Sequence, residues 1–220
     1  MSGFVVVFNT DGSPVSHELL EKLTASLQFK GPDSQKVWAD GPVGLGHTLF
    51  RTTNESKYES QPASLDGKTW ITGCIRIDSR KELVSRLGLA NKIKLDQTPD
   101  PELVLHAYRK WGERCTEYLL GDFAFAIWDK DRAKLFCARD HFGTRQLYYA
   151  KVRAGIIISN SLFCLHQHPA ISKQLNEQAV ADFLLMGDHM WMDQTQTAFA
   201  DIQALLPAHL LVAKNSGLNL

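Results

Sequence analysis

Ser2 follows the initiator Met1, and the chain then runs Gly3-Phe4-Val5-Val6-Val7-Phe8. Methionine is ordinarily trimmed from in front of serine, which leaves a hydroxyl and a free α-amine on one residue. An α-amine with a pKa near ~8 can take the hydroxyl's proton, so such a residue is nucleophile and base at once. The chemistry would be attack on a carbonyl, as in amide hydrolysis. A tolerated serine at an ordinary chain start is the plainer alternative. Cys74 is a second nucleophile candidate, although a cysteine on a strand is more often a small buried apolar residue. His166-x-His168 resembles half of a metal site, but no cysteine or carboxylate stands at ligand spacing, so no metal is expected.

These residues need elements to hold them. Phe4 to Phe8 is wholly apolar, as a strand covered on both faces is. Ser16 suits the cap of a helix over His17 to Leu27, with Leu19, Leu20, Leu23 and Leu27 on one face. Val43 to Thr48 reads as a strand whose Gly44 and Gly46 admit close approach. Residues 51–67 are polar and read as a long surface loop. Thr69 to Ile77 alternates and is rich in β-branched residues, so it reads as a strand. Ser79 suits the cap of a short helix ending at Leu87-Gly88. Asp100 suits an N-cap, Pro101 the first helical position and Gly112 the stop of the next helix. Phe123–Trp128 and Lys134–Ala138 flank Asp129-Lys130-Asp131-Arg132 as a hairpin, and Gln146–Val152 with Gly155–Ser159 make another. Glu177 to Met186 reads as a helix, and Leu210 to Ala213 as a last β-like run. Met186, Met190, Trp191 and Met192 form an apolar stretch suited to a partner or interdomain surface.

Composition narrows the function. The 220 residues hold 24 Lys plus Arg against 24 Asp plus Glu, and no local basic run, so no nucleic-acid surface is expected. No apolar stretch approaches the roughly 20 residues that cross a bilayer, so no membrane partner is expected. The N-terminus lacks the basic region and cleavage site of a secretory signal. The four cysteines are widely spaced without a CxxC pair and fit reduced thiols in a cytoplasmic protein. Many strands joined by hairpins, with few helices, predict an α+β fold of two antiparallel sheets with helices outside.

An ordered set of motifs then points to a family. It comprises Lys30-Gly31-Pro32-Asp33, Gly46-His47, Gln61-Pro62, Thr72-Gly73, Asp100-x-Glu102, Ala107-Tyr108-x-x-Trp111-Gly112, Gly121 to Asp129, Ala138-Arg139-Asp140-x-x-Gly143-x-x-x-Leu147-Tyr148-Tyr149 and Leu206-Pro207-x-His209. Together they resemble the N-terminal glutaminase domain of asparagine synthetases, which are class II glutamine amidotransferases with an N-terminal-nucleophile fold. The resemblance implies a four-layer αββα sandwich over residues 1–209, with residues 210–220 as the start of a linker to a synthetase domain. It implies no cofactor in this domain, and ATP with magnesium in that C-terminal partner domain.

The resemblance also assigns a site, and this sequence departs from it. The family opens with a cysteine nucleophile where this chain has Ser2. The family's arginine for the glutamine carboxylate corresponds to Leu49, and Arg51, two residues on and on the same face of a strand, is the candidate substitute for it. The oxyanion hole's asparagine corresponds to Thr72, while Gly73 would keep its backbone N–H donor. Asp100 matches the aspartate for glutamine's α-amine. Losing one oxyanion donor costs roughly 10²–10³ in rate in model enzymes.

Three departures in one pocket predict a domain that keeps the glutaminase fold without hydrolysing glutamine. It would be the N-terminal half of an asparagine-synthetase-like, ATP-dependent amide-forming enzyme, such as the family's β-lactam synthetases and lasso-peptide cyclases. Its partners would be its own C-terminal domain and an amino-acid or peptide acceptor; a homodimer stays open. Two alternatives stand beside this reading. One is a working glutaminase that supplies ammonia, with Ser2 as nucleophile. The other is a non-catalytic module that binds a peptide or carrier protein.

Overall fold

The computed structural model describes residues 1–187, 193–215 and 217–219. The apolar start of the chain forms β1 (Gly3–Asn9), and its alternation decides the architecture. Phe4, Val6 and Phe8 point to one side, into a core shared with Ala124, Ala126 and Trp128. Val5 and Val7 point to the other side, against Leu20, Leu23 and Leu27 of the first helical region. A strand covered on both faces must sit between a sheet and a helix layer.

The remaining elements fill those layers. Helix α1 (His17–Ala25) starts at Ser16, whose hydroxyl accepts the Leu19 N–H as the sequence predicts. It leads into the antiparallel pair β2 (Ser34–Asp40) and β3 (Val43–Leu49). A short 3-10 turn (Glu55–Lys57) and β4 (Ala63–Ser64) precede β5 (Thr69–Ile77), α2 (Arg80–Leu87) and α3 (Asp100–Trp111). The hairpin β6 (Gly121–Asp129) and β7 (Lys134–Arg139) follows, then β8 (Tyr148–Val152) and β9 (Gly155–Ser159). The chain closes with α4 (Leu162–Leu165), α5 (Glu177–Met186), β10 (Ile202–Ala204), β11 (Leu210–Lys214) and β12 (Gly217–Asn219).

One sheet has the order β10-β8-β9-β1-β3-β2 and the other β12-β11-β7-β6-β5-β4, and every described pairing is antiparallel. The sheets face each other across the Phe4–Trp128 core, with the Phe8 and Trp128 rings 5.4 Å apart. Trp38 on β2 and Trp70 on β5 stack between the two sheets at 4.4 Å. Helices α2 and α3 cover the far face of the second sheet through Leu83, Leu103 and Phe125, while α1 and α4 cover the first. This is the expected αββα sandwich. Gly46 explains how closely α1 lies on β3: a Cβ there would stand 2.0 Å from Thr24 Oγ1. Among the described residues, no helix is long and apolar enough to cross a membrane.

Several boundaries differ from the sequence reading. Residues 51–67 are not merely a surface loop, because Ser56 and Gln61 are buried and the segment folds over the start of β1. The helix over 100–111 takes Pro99 as its cap, which frees the Asp100 side chain for other partners. The domain boundary expected at His209 falls inside the second sheet. There Leu210–Lys214 pairs with Lys134–Ala138, so the folded unit runs past it. The apolar stretch of Met190, Trp191 and Met192 lies outside the described residues, as does the side chain of Met186.

Candidate active site

Ser2 stands at the head of β1 and is 8% exposed. Its carbonyl accepts the Asn160 side-chain N–H at 2.9 Å, and Asn160 Oδ1 accepts the Phe4 N–H at 3.1 Å. Asn160 directly follows β9, the neighbour of β1, so the sheet itself fixes the first residues of the chain. The Ser2 hydroxyl accepts the Phe50 N–H at 3.0 Å.

Ser2 opens on a partly open cavity of about 400 Å³. The folded 51–67 segment supplies one wall with Thr52, Glu55, Ser56 and Glu59. The end of β5 supplies another with Cys74, Ile75 and Arg76, and Asp100 and Arg145 close the rest. Arg145 also touches the Met1 sulfur. Its only ion pair among the described residues is a loose 3.7 Å contact with Asp122.

Burial sets the electrostatics. The Glu59 carboxyl is pushed up to about 7 by burial, reinforced by Asp100 and Glu55 and opposed by the Gln61 side-chain N–H. Burial also raises Asp100, against the Ile77 N–H and Arg80. It raises the Cys74 thiol, so this cysteine is not a poised thiolate. Burial lowers the Met1 α-amine below its ordinary value.

The structure brings only part of the expected site together. Ser2 and Asp100 both line the cavity. The Asp100 carboxylate is already engaged: one oxygen accepts the Ile77 N–H at 3.0 Å and the other the Arg80 guanidinium. Thr72 and Gly73 are not on the wall. Thr72 is fully buried between the sheets, where its hydroxyl donates to the Gly46 carbonyl at 3.3 Å. The Gly73 N–H donates to Gln61 Oε1 at 2.8 Å and is not free for an oxyanion. The cavity meets β5 from Cys74 onward. Alternate N–H groups of a strand share an edge, so Ile75 lies on the same outer edge as Gly73 and Ile77, between their two bonded donors.

Leu49 is buried at the end of β3 and is not on the wall; its neighbour Phe50 is. Arg51 does not share a strand face with Leu49, because β3 stops at Leu49. Arg51 is exposed and its N–H donates to Asp33. Sequence reasoning missed Glu59, Gln61, Arg80 and Arg145 as site residues. Gln61 and Arg145 stood within quoted motifs, whereas nothing local marked Glu59 or Arg80. The histidine pair is separated in role: His166 packs edge-on against Phe199 with ring centroids 3.9 Å apart, and His168 accepts the Ala170 N–H.

A four-layer sandwich with the chain's second residue, at the head of a central strand, opening on a cavity is an N-terminal-nucleophile type of architecture. The Bacillus subtilis glutamine phosphoribosylpyrophosphate amidotransferase solved with ADP and GMP shares the fold, with a TM-score of 0.66. The alignment has 15% identity and covers 100% of this chain and 48% of that one. The chain belongs to the glutamine amidotransferase domain family, whose model matches residues 1–220. It is 28% identical over 209 residues to asparagine synthetase [glutamine-hydrolyzing] 3 of Bacillus subtilis, covering 92% of this chain and 33% of that protein. It is 26% identical over 209 residues to the amidase chyE of Penicillium rubens, covering 94% of this chain and 30% of that protein. The chain thus spans about a third of the length of these curated relatives.

Proposed function

We propose that this glutamine amidotransferase domain does not hydrolyse glutamine. It serves as the N-terminal part of an asparagine-synthetase-like enzyme that forms an amide with ATP. One observation carries the reading: the Ser2 hydroxyl has a single hydrogen-bond partner among the described residues, the Phe50 N–H, which is a donor. Among the described residues no histidine or carboxylate takes its proton, so the one base left to it is the α-amine that Met1 removal would free, and a serine hydroxyl so poorly assisted is a weak nucleophile near neutral pH. Leu49, which offers no donor, and the withdrawn Thr72 and Gly73 support the same reading.

ATP, magnesium and the amino-acid or peptide acceptor belong to a further domain in this proposal, consistent with the length of the relatives. The four free, buried cysteines agree with a reducing, cytoplasmic setting. A second reading, in which Ser2 attacks glutamine with its own α-amine as base, draws support from its place on the cavity wall.

Glutamate release from glutamine decides between them. The chain is assayed after mass spectrometry has established whether Met1 is removed. No release above the uncatalysed background is expected from wild type or from Ser2→Cys. Turnover by wild type would establish the second reading. Turnover by Ser2→Cys alone would show that the rest of the cavity is intact and only the nucleophile is weak.

A further inference from the structure

Asp100 and Glu55 place two carboxylates on the wall of the Ser2 cavity. Arg76 and Arg145 line the same cavity but pair with Asp78 and Asp122, and the guanidinium that pairs with Asp100 and Glu55, that of Arg80, comes from behind the wall. Arg80 Nη1 donates to Asp100 Oδ1 and lies 3.5 Å from Glu55 Oε1. Its Nη2 donates to the Leu95 carbonyl at 2.7 Å and to the Thr98 carbonyl at 2.6 Å. The guanidinium is therefore fixed by four oxygens, a use of its planar fork that an ammonium could not match. On its other side lies an open groove of about 750 Å³, bordered by Arg80, Asp96 and again Glu55. Glu55 borders both spaces, so the Arg80–Asp100–Glu55 cluster is the partition between them.

We propose that Arg80 is a specificity-determining residue. Its guanidinium holds the cation position served by Asp100 and Glu55, and so closes the Ser2 cavity to the ammonium group of any free ligand. An incoming α-ammonium would have to displace a cation that is attached to the chain, hydrogen-bonded at three points and ion-paired with Glu55. Without Arg80, the buried Asp100 and its neighbour Glu55 would each lose their one ion-pair partner among the described residues, Arg76 and Arg145 being paired with Asp78 and Asp122, and removing one partner of a buried pair leaves a strong demand for a new one. The inference shares its cavity with the function proposed above but does not depend on whether Ser2 reacts.

Isothermal titration with methylguanidinium and with L-glutamine tests this on the whole chain. Wild type should bind neither. Arg80→Ala should bind methylguanidinium at least roughly tenfold more tightly than wild type, a shift that corresponds to about 1.4 kcal/mol. The added change Asp100→Asn should abolish that gain. Arg80→Gln keeps donors for the Leu95 and Thr98 carbonyls without the charge. It should gain affinity for methylammonium even if the alanine variant is poorly folded, and methylguanidinium should raise the melting temperature of either variant but not of wild type. A merely structural Arg80 would lower stability without creating a ligand site. Folded variants that bind no cation, or a melting temperature that methylguanidinium leaves unchanged, would overturn the proposal. So would L-glutamine binding by wild type that Asp100→Asn removes. Glutamate release by a wild type that binds independently of Asp100 would instead overturn only the non-hydrolytic reading.

Discussion

Gln61 and Gly73 exchange two hydrogen bonds: the Gly73 N–H donates to Gln61 Oε1 at 2.8 Å, and Gln61 Nε2 donates to the Gly73 carbonyl at 3.1 Å. Strand β4 covers the edge of β5 only at Trp70 and Ile71, and this side chain continues the pairing where the strand stops. The same Nε2 holds Glu59 at 2.7 Å, so one residue joins the sheet edge to the cavity wall.

Gln61→Leu should therefore be costly. It leaves the buried Gly73 N–H unpaired, at about 1–3 kcal/mol, while the Gly73 carbonyl keeps His47 Nε2 at 3.2 Å. Urea denaturation is expected to show a lower midpoint with an unchanged slope. A midpoint equal to wild type would mean that water satisfies the Gly73 N–H.

His47 predicts acid lability. Burial lowers its pKa from 6.5 to about 4, although its Nε2 lies 3.2 Å from the Gly73 carbonyl, an interaction that favours the charged form. As the pH falls below 6.5 the unfolded chain takes up this proton first. The contribution of His47 to stability, complete above 6.5, is thus lost progressively down to about 4. His47→Gln should flatten that part of the stability profile.

Glu59 acts in the opposite direction. Its carboxyl stays protonated up to about 7 in the folded chain, against 4.5 for an ordinary glutamate. The unfolded chain ionises first, so this group lowers stability progressively as the pH rises from 4.5 to about 7. Glu59→Gln should match wild type below pH 4.5 and exceed it above 7 in urea midpoint. A variant less stable than wild type above pH 7 would show that a cation holds the carboxylate.

Gly46→Ala tests the packing of α1 on β3. Its Cβ would meet Thr24 Oγ1 at 2.0 Å and Val5 Cγ1 at 2.9 Å. The Thr24 hydroxyl is itself bonded to the Leu20 carbonyl at 2.7 Å and cannot turn away freely. A loss of about 1–3 kcal/mol is expected. Part of it should return in the double variant with Thr24→Ala, as a coupling energy between touching residues.

Much of the fold was legible because its signals are local. The Ser16 cap, the wholly apolar β1 and the Asp129–Arg132 hairpin each depend on residues within a few positions of one another. Strand β2 escaped notice because it is an edge strand with mixed exposure and no clean alternation. The 51–67 segment reads as polar because its buried groups, Ser56 and Gln61, are satisfied by hydrogen bonds that sequence does not display. The site was half legible for a related reason. Residues 72 to 76 all lie on one strand, and only the three-dimensional course of the 51–67 segment decides where along it the cavity begins. Arg80 was invisible as a site residue because its partners Glu55, Leu95, Thr98 and Asp100 come from three other segments.

The stacked Trp38 and Trp70 rings belong to different sheets and lie 21° from parallel. Indoles this close couple their electronic transitions, and the coupling falls steeply with separation. The molecule therefore carries an intrinsic optical gauge of inter-sheet spacing. A circular-dichroism couplet from this pair would fade when the two sheets slide or part, while the amide signal of each intact sheet remained.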